Sequence, residues 1–415
     1  MSTRRSRAAT IVTVVASGGR RHRLVSHVWL VTGIVAVADF VFGATFVVFM
    51  QSRGLSATTI GGLLSITALS SMLLEAPSGA WGDRHGHKRL VAGGLGLWGI
   101  GLLLFGIADT SGLFGVGVAL WAAGLALYSG AAMSLLINTL NADGREHEAD
   151  NAIRGTETIR WAAAAAAAII VAVTASFLST QASIVLSGVA LLVVAAWVLL
   201  RWPDSPVREH VSVLRSLRDG VQFVLAPGKG LLLAFTVITS ADLAIVILTW
   251  QPLALHVVHL GQHLLGVALL VLSVAVAAGA FASRWVPKRF TGIGVGVSLL
   301  LLNGFLAVAV ISTAGAVAAV VGAEFFLGVA LTILAVWGQR LFPDRIRATA
   351  TSVLGTASGV TMAITNGVMG AVWDTIGLQQ AVTGAGIVGA CVTVVIATVA
   401  TIQRSRIEGR VRVPS

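Results

Sequence analysis

The sequence predicts an all-α polytopic membrane protein, with twelve transmembrane helices in two pseudo-symmetric six-helix bundles. Three observations carry that prediction. First, the 415-residue chain is 56% hydrophobic and only 11% charged, with a mean hydropathy of +0.90. A soluble domain carries about 25% charged residues, so a chain of 42.7 kDa this apolar has too little polar surface to face water. Second, apolar runs long enough to cross a bilayer recur at 28–50, 57–81, 90–108, 112–138, 157–178, 182–200, 231–253, 262–283, 291–311, 313–337, 348–373 and 379–402. Third, 26 of the 28 Lys and Arg residues fall in the two tails and in alternate loops, while the other loops carry only Arg53. That asymmetry places both termini and the cation-rich loops in the cytoplasm. A soluble enzyme, a disordered chain and a disulfide-stapled module are excluded. The lone Cys391 has no partner for an internal disulfide.

Each segment follows in order. Residues 1–26 form a cytoplasmic tail. Its apolar stretch Ala8–Ser17 imitates a signal-peptide core, but the basic cluster at Arg20–Arg23 directly before the first span argues against cleavage. Residues 27–200 hold the N-terminal bundle. The polar segment 201–230 repeats Val211, Leu214, Leu217, Val221 and Val224 at helical spacing, which predicts an amphipathic helix lying in the cytoplasmic interface. Residues 231–403 hold the C-terminal bundle and 404–415 a cytoplasmic tail. Trp29, Trp202 and Trp373 stand near span ends, where indoles anchor to headgroups. The net charge of +11 is strung along loops rather than gathered on one module, so nucleic acid is not expected as a partner. Three lysines against 25 arginines fit a GC-rich bacterial genome, hence a bacterial cytoplasmic membrane.

The halves repeat. A shift of 200 residues lays Gly79-Ala80-Trp81-Gly82-Asp83-Arg84 over Gly279-Ala280-Phe281-Ala282-Ser283-Arg284, and Lys88-Arg89 over Lys288-Arg289. A shift of 203 lays Ala38-Asp39 over Ala241-Asp242. The segment from Gly79 through Asp83, Arg84 and Gly86 to Lys88 and Arg89 closely resembles the 2–3 loop signature of the major facilitator superfamily. The lead-in Glu75-Ala76-Pro77-Ser78-Gly79 resembles that of its bacterial exporter-like members. Pro343-Asp344-Arg345 with Arg347-Ala348-Thr349 resembles the segment that opens span 11. This resemblance implies a secondary transporter of alternating access, with the substrate held between the halves. It also implies that the 2–3 loop serves as a cytoplasmic gate, with Asp83 set against the start of span 11. Two features depart from the proton-driven drug antiporters of the family. Ala126 stands where an arginine precedes the span 4 glycine, here Gly130. Span 5 reads Trp161 followed by seven alanines in place of a Gly-Pro motif.

Asp39, Asp242 and Glu324 sit centrally in spans 1, 7 and 10, with Asp39 roughly 16 Å from either end of its run at 1.5 Å per residue. A charge at mid-bilayer costs at least ~2.5 kcal/mol, so such carboxylates face an aqueous cavity or a partner. They are the candidate proton-coupling and substrate-cavity residues. Glu157 and Arg160, three apart, are placed to pair on one face of span 5, and Glu75 to pair near the cytoplasmic loops. His256, His259 and His263 are interrupted by Gly261 in an external loop, and no metal site is expected there. No phosphate-cradling loop or nucleophile elbow occurs, so no enzymatic activity and no cofactor are expected. Three acids against one cation favour a small cationic or neutral amphiphile, exported in exchange for protons by a monomer. A proton-coupled symporter for a neutral nutrient is the alternative, and a non-transporting sensor or scaffold the third.

Overall fold

A computed structural model describes residues 24–202, 230–342 and 347–411, with the backbone alone at 75–81, 83–85, 130, 150, 347–349 and 403–411. Among the described residues there are thirteen α-helices and no strand. They are α1 (Leu24–Gly43), α2 (Phe46–Ser52), α3 (Ala57–His85), α4 (His87–Ile107), α5 (Ser111–Ala142), α6 (Ala149–Thr174), α7 (Thr180–Arg201), α8 (Gly230–Pro252), α9 (Leu265–Ala282), α10 (Thr291–Ala307), α11 (Thr313–Leu341), α12 (Arg347–Ile376) and α13 (Leu378–Val411). The twelve expected spans map onto these in order, because span 1 arrives as two helices, interrupted at Ala44–Thr45. Among the described residues eleven helices are long and apolar enough to cross a membrane. The remaining span, α12, is 30 residues long but carries Ser352, Thr356, Ser358, Thr361 and Asn366, which lower its hydropathy. The amphipathic helix expected within 201–230 lies outside the described residues, as does most of the N-terminal tail.

The chain divides into two compact units. One comprises Met1–Ala44 and Leu73–Val211; the other comprises Thr45–Met72 and Ser212–Ser415. The break in span 1 therefore coincides with a unit boundary.

In the first unit, α4 packs between α5 and α7. A Cβ on Gly101 would sit 2.7 Å from the Gly117 carbonyl oxygen, and one on Gly99 would sit 2.8 Å from that of Gly188. Bare glycine faces let these backbones approach where lipid supplies no hydrophobic drive between helices. The alanine run of α6 does the same against α1, with Ala163, Ala164, Ala167 and Ala168 all buried. Phe42, Phe105, Phe114 and Trp121 form an edge-to-face aromatic core. Of the expected headgroup anchors, one is buried and a second is half-buried against a neighbouring helix. Trp202 is 1% exposed. Trp29 donates its indole N–H to the Ala152 carbonyl at 3.2 Å and lies over Gly155, locking α1 to α6.

In the second unit, Leu232, Phe235, Val295, Leu299, Ala330 and Ile333 make the core of α8, α10 and α11. The α9 and α11 backbones meet at Gly279 and Gly328, which face the carbonyls of Phe325 and Val276. This unit also holds α2 and the first half of α3, through side chains distant in sequence. Buried Gln251 at the end of α8 accepts the Val47 and Val48 N–H groups at 3.1 and 3.3 Å. Asp374 near the end of α12 accepts the Ala57 and Thr58 N–H groups at 3.0 and 2.8 Å. Helix starts leave such donors without intrahelical partners, and here four donors at two helix starts are supplied with acceptors distant in sequence. Ser65 adds a 2.6 Å hydrogen bond to the Ala363 carbonyl. Large apolar side chains such as Leu30, Leu73, Val193, Leu200, Ile364 and Val388 stay exposed, as a bilayer-solvated surface requires.

Candidate functional site

The mid-span carboxylates arise where a helix of otherwise apolar residues carries one acid. Asp39 stands on the last turns of α1, four residues before the Gly43–Thr45 break, and is half-buried. No hydrogen bond reaches it among the described residues. The Arg160 guanidinium on α6 is the cation whose field acts on it. Tyr128, the one tyrosine of the chain, hydrogen-bonds Thr32 of α1 and lies within the fields of both Asp39 and Arg160. The first unit thus carries a polar group of Thr32, Asp39, Tyr128 and Arg160 drawn from α1, α5 and α6.

Asp242 on α8 is 2% exposed. It accepts a 3.1 Å hydrogen bond from Nδ2 of Asn303 on α10. The same amide nitrogen donates to the Leu299 carbonyl at 2.9 Å, which fixes the side-chain rotamer. Asn303 is fully buried and its Oδ1 has no partner. Gly389 of α13 makes room for it, since a Cβ there would overlap the Asn303 amide. One turn-face along α8, Ser240 and Ser358 share a 2.9 Å hydroxyl contact that joins α8 to α12. Glu324 on α11 is half-buried and has neither a hydrogen bond nor an ion pair among the described residues.

The pair expected of Glu157 and Arg160 does not form. Both are exposed, and Arg160 lies instead 5.9 Å over the Trp161 ring while its charge acts on Asp39. Spacing of three permits contact on a helix but does not compel it; here an aromatic face and a second carboxylate compete for the same guanidinium. The side chain of Glu75 lies outside the described residues.

In the loop between α3 and α4, Gly86 takes φ +92°, a conformation that L side chains resist, and so lets α3 end and α4 begin without a linker. Gly79, Asp83 and Arg84 fall on the last turns of α3, Lys88 and Arg89 on the first turn of α4. The side chains of Asp83 and Arg84, and those of Arg347 and Thr349, lie outside the described residues, as do Pro343, Asp344 and Arg345 altogether. Among the described residues no group of three His, Cys, Asp or Glu converges as a metal would need.

Asn303 and Gln251 escaped the reading of the sequence. Each is an isolated amide in or at the end of an apolar run, and a buried amide without a partner is costly in hydrocarbon. That signal was available. Which group each amide would meet, the Asp242 carboxylate for Asn303 and the Val47 and Val48 N–H groups for Gln251, was not.

A profile described as Major Facilitator Superfamily matches residues 28–366. The chain belongs to the Major Facilitator Superfamily. This transporter shares its fold with a mutant form of the nucleoside transporter NupG, at a TM-score of 0.75 and 14% identity over 91% of this chain and 99% of that one. A bacterial homologue of the human lysosomal transporter Spinster, inward-facing and unoccupied, gives 0.67 and 15% over 92% and 95%. A POT family transporter in complex with 5-aminolevulinic acid gives 0.70 and 13% over 91% and 96%. No curated protein matches the sequence. The superfamily assignment makes this a multi-pass membrane protein that moves a small molecule.

Proposed function

We propose that this transporter exports a small cationic or neutral amphiphile in exchange for protons, across a bacterial cytoplasmic membrane in which both termini are cytoplasmic. The observation that carries the reading is the state of its mid-span acids. Among the described residues Asp39 and Glu324 have no hydrogen-bond partner, and Asp242 has only a neutral amide. Among the described residues, these three carboxylates against the cation Arg160 leave the polar groups of the spans acidic on balance. A carboxylate without a salt-bridge partner is free to take up a proton or meet a cationic substrate, and for Asp39 the Arg160 field acts without an ion-pair contact among the described residues. The exporter-like lead-in Glu75-Ala76-Pro77-Ser78-Gly79 supports the outward direction.

A second reading, proton-coupled uptake, is favoured by the neighbours described as nucleoside and POT family transporters. Proteoliposomes under an imposed pH gradient separate the two. An antiporter accumulates substrate in the more acidic compartment, a symporter in the more alkaline one. Absence of any pH-driven flux over a panel of cationic dyes and neutral solutes would defeat both and leave a sensor or scaffold. Asp39→Asn should abolish pH-driven accumulation while the protein still folds and inserts. Wild-type accumulation by that variant would remove Asp39 from the coupling role and leave Asp242 and Glu324.

A further inference from the structure

The second copy of the repeated loop has no role in the reading above, and its charge has changed. In the first copy, Asp83 accompanies Arg84, Lys88 and Arg89; in the second, Ser283 accompanies Arg284, Lys288 and Arg289. The Ser283 hydroxyl is spent on its own helix, donating to the Ala280 carbonyl at 2.6 Å. The carboxylate is gone and the cations remain.

Two of those cations, Lys288 and Arg289, converge with Arg340. Lys288, Arg289, Thr291 and Gly292 at the start of α10, with Trp337 and Arg340 near the end of α11, line a concavity of about 510 Å³. Among the described residues no carboxylate pairs with Lys288, Arg289 or Arg340. The start of α10 has no side-chain cap, so the positive end of a 17-residue helix adds to the three charges. The surrounding chain has the composition of a span end. Phe281, Trp285 and Phe290, at the end of α9 and in its connection to α10, are 55%, 67% and 41% exposed. Arg284 lies 3.4 Å over the Phe281 ring and Arg289 4.7 Å over that of Phe290. Exposed aromatics bearing arginines at a span end are the composition of a membrane–water interface.

We propose that this concavity binds the phosphate headgroup of an anionic phospholipid. The three cations and the α10 N-terminus supply the positive charge, Trp337 forms an apolar wall, and the flanking aromatics leave the acyl chains to the bilayer. Basic pockets between spans are suited to such headgroups. A free anion of the same chemistry would use the charges but gain nothing from the aromatic flank.

The test uses the full-length protein in nanodiscs made from an equimolar mixture of phosphatidylglycerol and phosphatidylcholine, with retained lipid counted by native mass spectrometry. The wild type should retain phosphatidylglycerol in preference by tenfold or more. At about fivefold per cation, Lys288→Gln, Arg289→Gln and Arg340→Gln together should erase that preference, a loss of up to roughly 100-fold. Arg53→Gln, Arg154→Gln and Arg201→Gln together, of equal net charge, should keep it. So should Lys288→Arg with Arg340→Lys. If the first triple variant does not fold, Arg340→Gln and Lys288→Gln singly should each show the loss of about fivefold. Undiminished preference in those variants would overturn the proposal, and so would equal loss in the charge-matched control. Displacement of phosphatidylglycerol by millimolar inorganic phosphate would make it a site for a soluble anion instead.

Discussion

Removing the Asp374 carboxylate should unfasten the first turn of α3. Asp374 sits one residue past the apolar run 348–373 and is exposed, and its two oxygens accept the Ala57 and Thr58 N–H groups at 3.0 and 2.8 Å. Replacing a capping carboxylate by Ala typically costs ~1 kcal/mol, within 0.5–2. The charge at a helix N-terminus adds about 0.3–1 kcal/mol. A loss of about 1–2 kcal/mol corresponds to roughly 5–30-fold less protection of those amides. Hydrogen exchange of the 57–60 segment, followed by mass spectrometry, reads this directly in Asp374→Ala. Asp374→Asn, which keeps one acceptor, should fall between. The pH dependence adds an independent check. Partial burial pushes this carboxyl up, but hydrogen bonds from Thr58, Ala57 and Ser56 outweigh it and hold the group below the ordinary aspartate range. A depressed value means that the cap stabilises the native state fully above the unfolded aspartate pKa, near 3.9. Its contribution then fades only as pH falls through the lower native value. Wild-type protection of α3 should therefore survive mild acid and drop in strong acid, whereas Asp374→Ala should show no such step. Equal protection in the variant and the wild type at neutral pH would refute the cap.

Three further outcomes are expected. Gln251→Leu leaves the buried Val47 and Val48 N–H groups without an acceptor, at about 1–3 kcal/mol each; thermal unfolding followed by tryptophan fluorescence should shift markedly downward, and an unchanged midpoint would mean that α2 has another acceptor. Gly328→Val would push a side chain onto the Val276 carbonyl and cost about 1–3 kcal/mol or more by overpacking the α9–α11 crossing, whereas Gly304→Ala, which meets nothing within 4 Å, should keep the wild-type midpoint; equal behaviour of the two variants would argue against that crossing. Cysteines at Ser6, Ser216 and Ser405 should resist an impermeant thiol reagent in intact cells and react after permeabilisation; labelling of any of them from outside would invert the proposed orientation.

What could be read from residues alone was whatever depends on composition summed over a span or on loop charge. The number of crossings, the superfamily, the halves' repeat and the presence of acids within spans 1, 7 and 10 all follow from local apolarity and from Gly, Asp and Arg at fixed offsets in one loop. Orientation around each helix axis does not follow, because in a bilayer both the core-facing and the lipid-facing sides are apolar. Ile184 on α7 is buried and Leu186, two residues on, is 55% exposed, yet nothing in their chemistry tells them apart. The tertiary structure alone decided the polar pairings. Asp242 meets Asn303 across 61 residues, Asp374 meets Ala57 across 317, and Gln251 closes the start of α2 across 204. Within a span, hydrocarbon offers an unpaired amide or N–H no water, which favours a partner inside the protein. That preference shows in a single residue, but only the folded chain determines which distant group meets it.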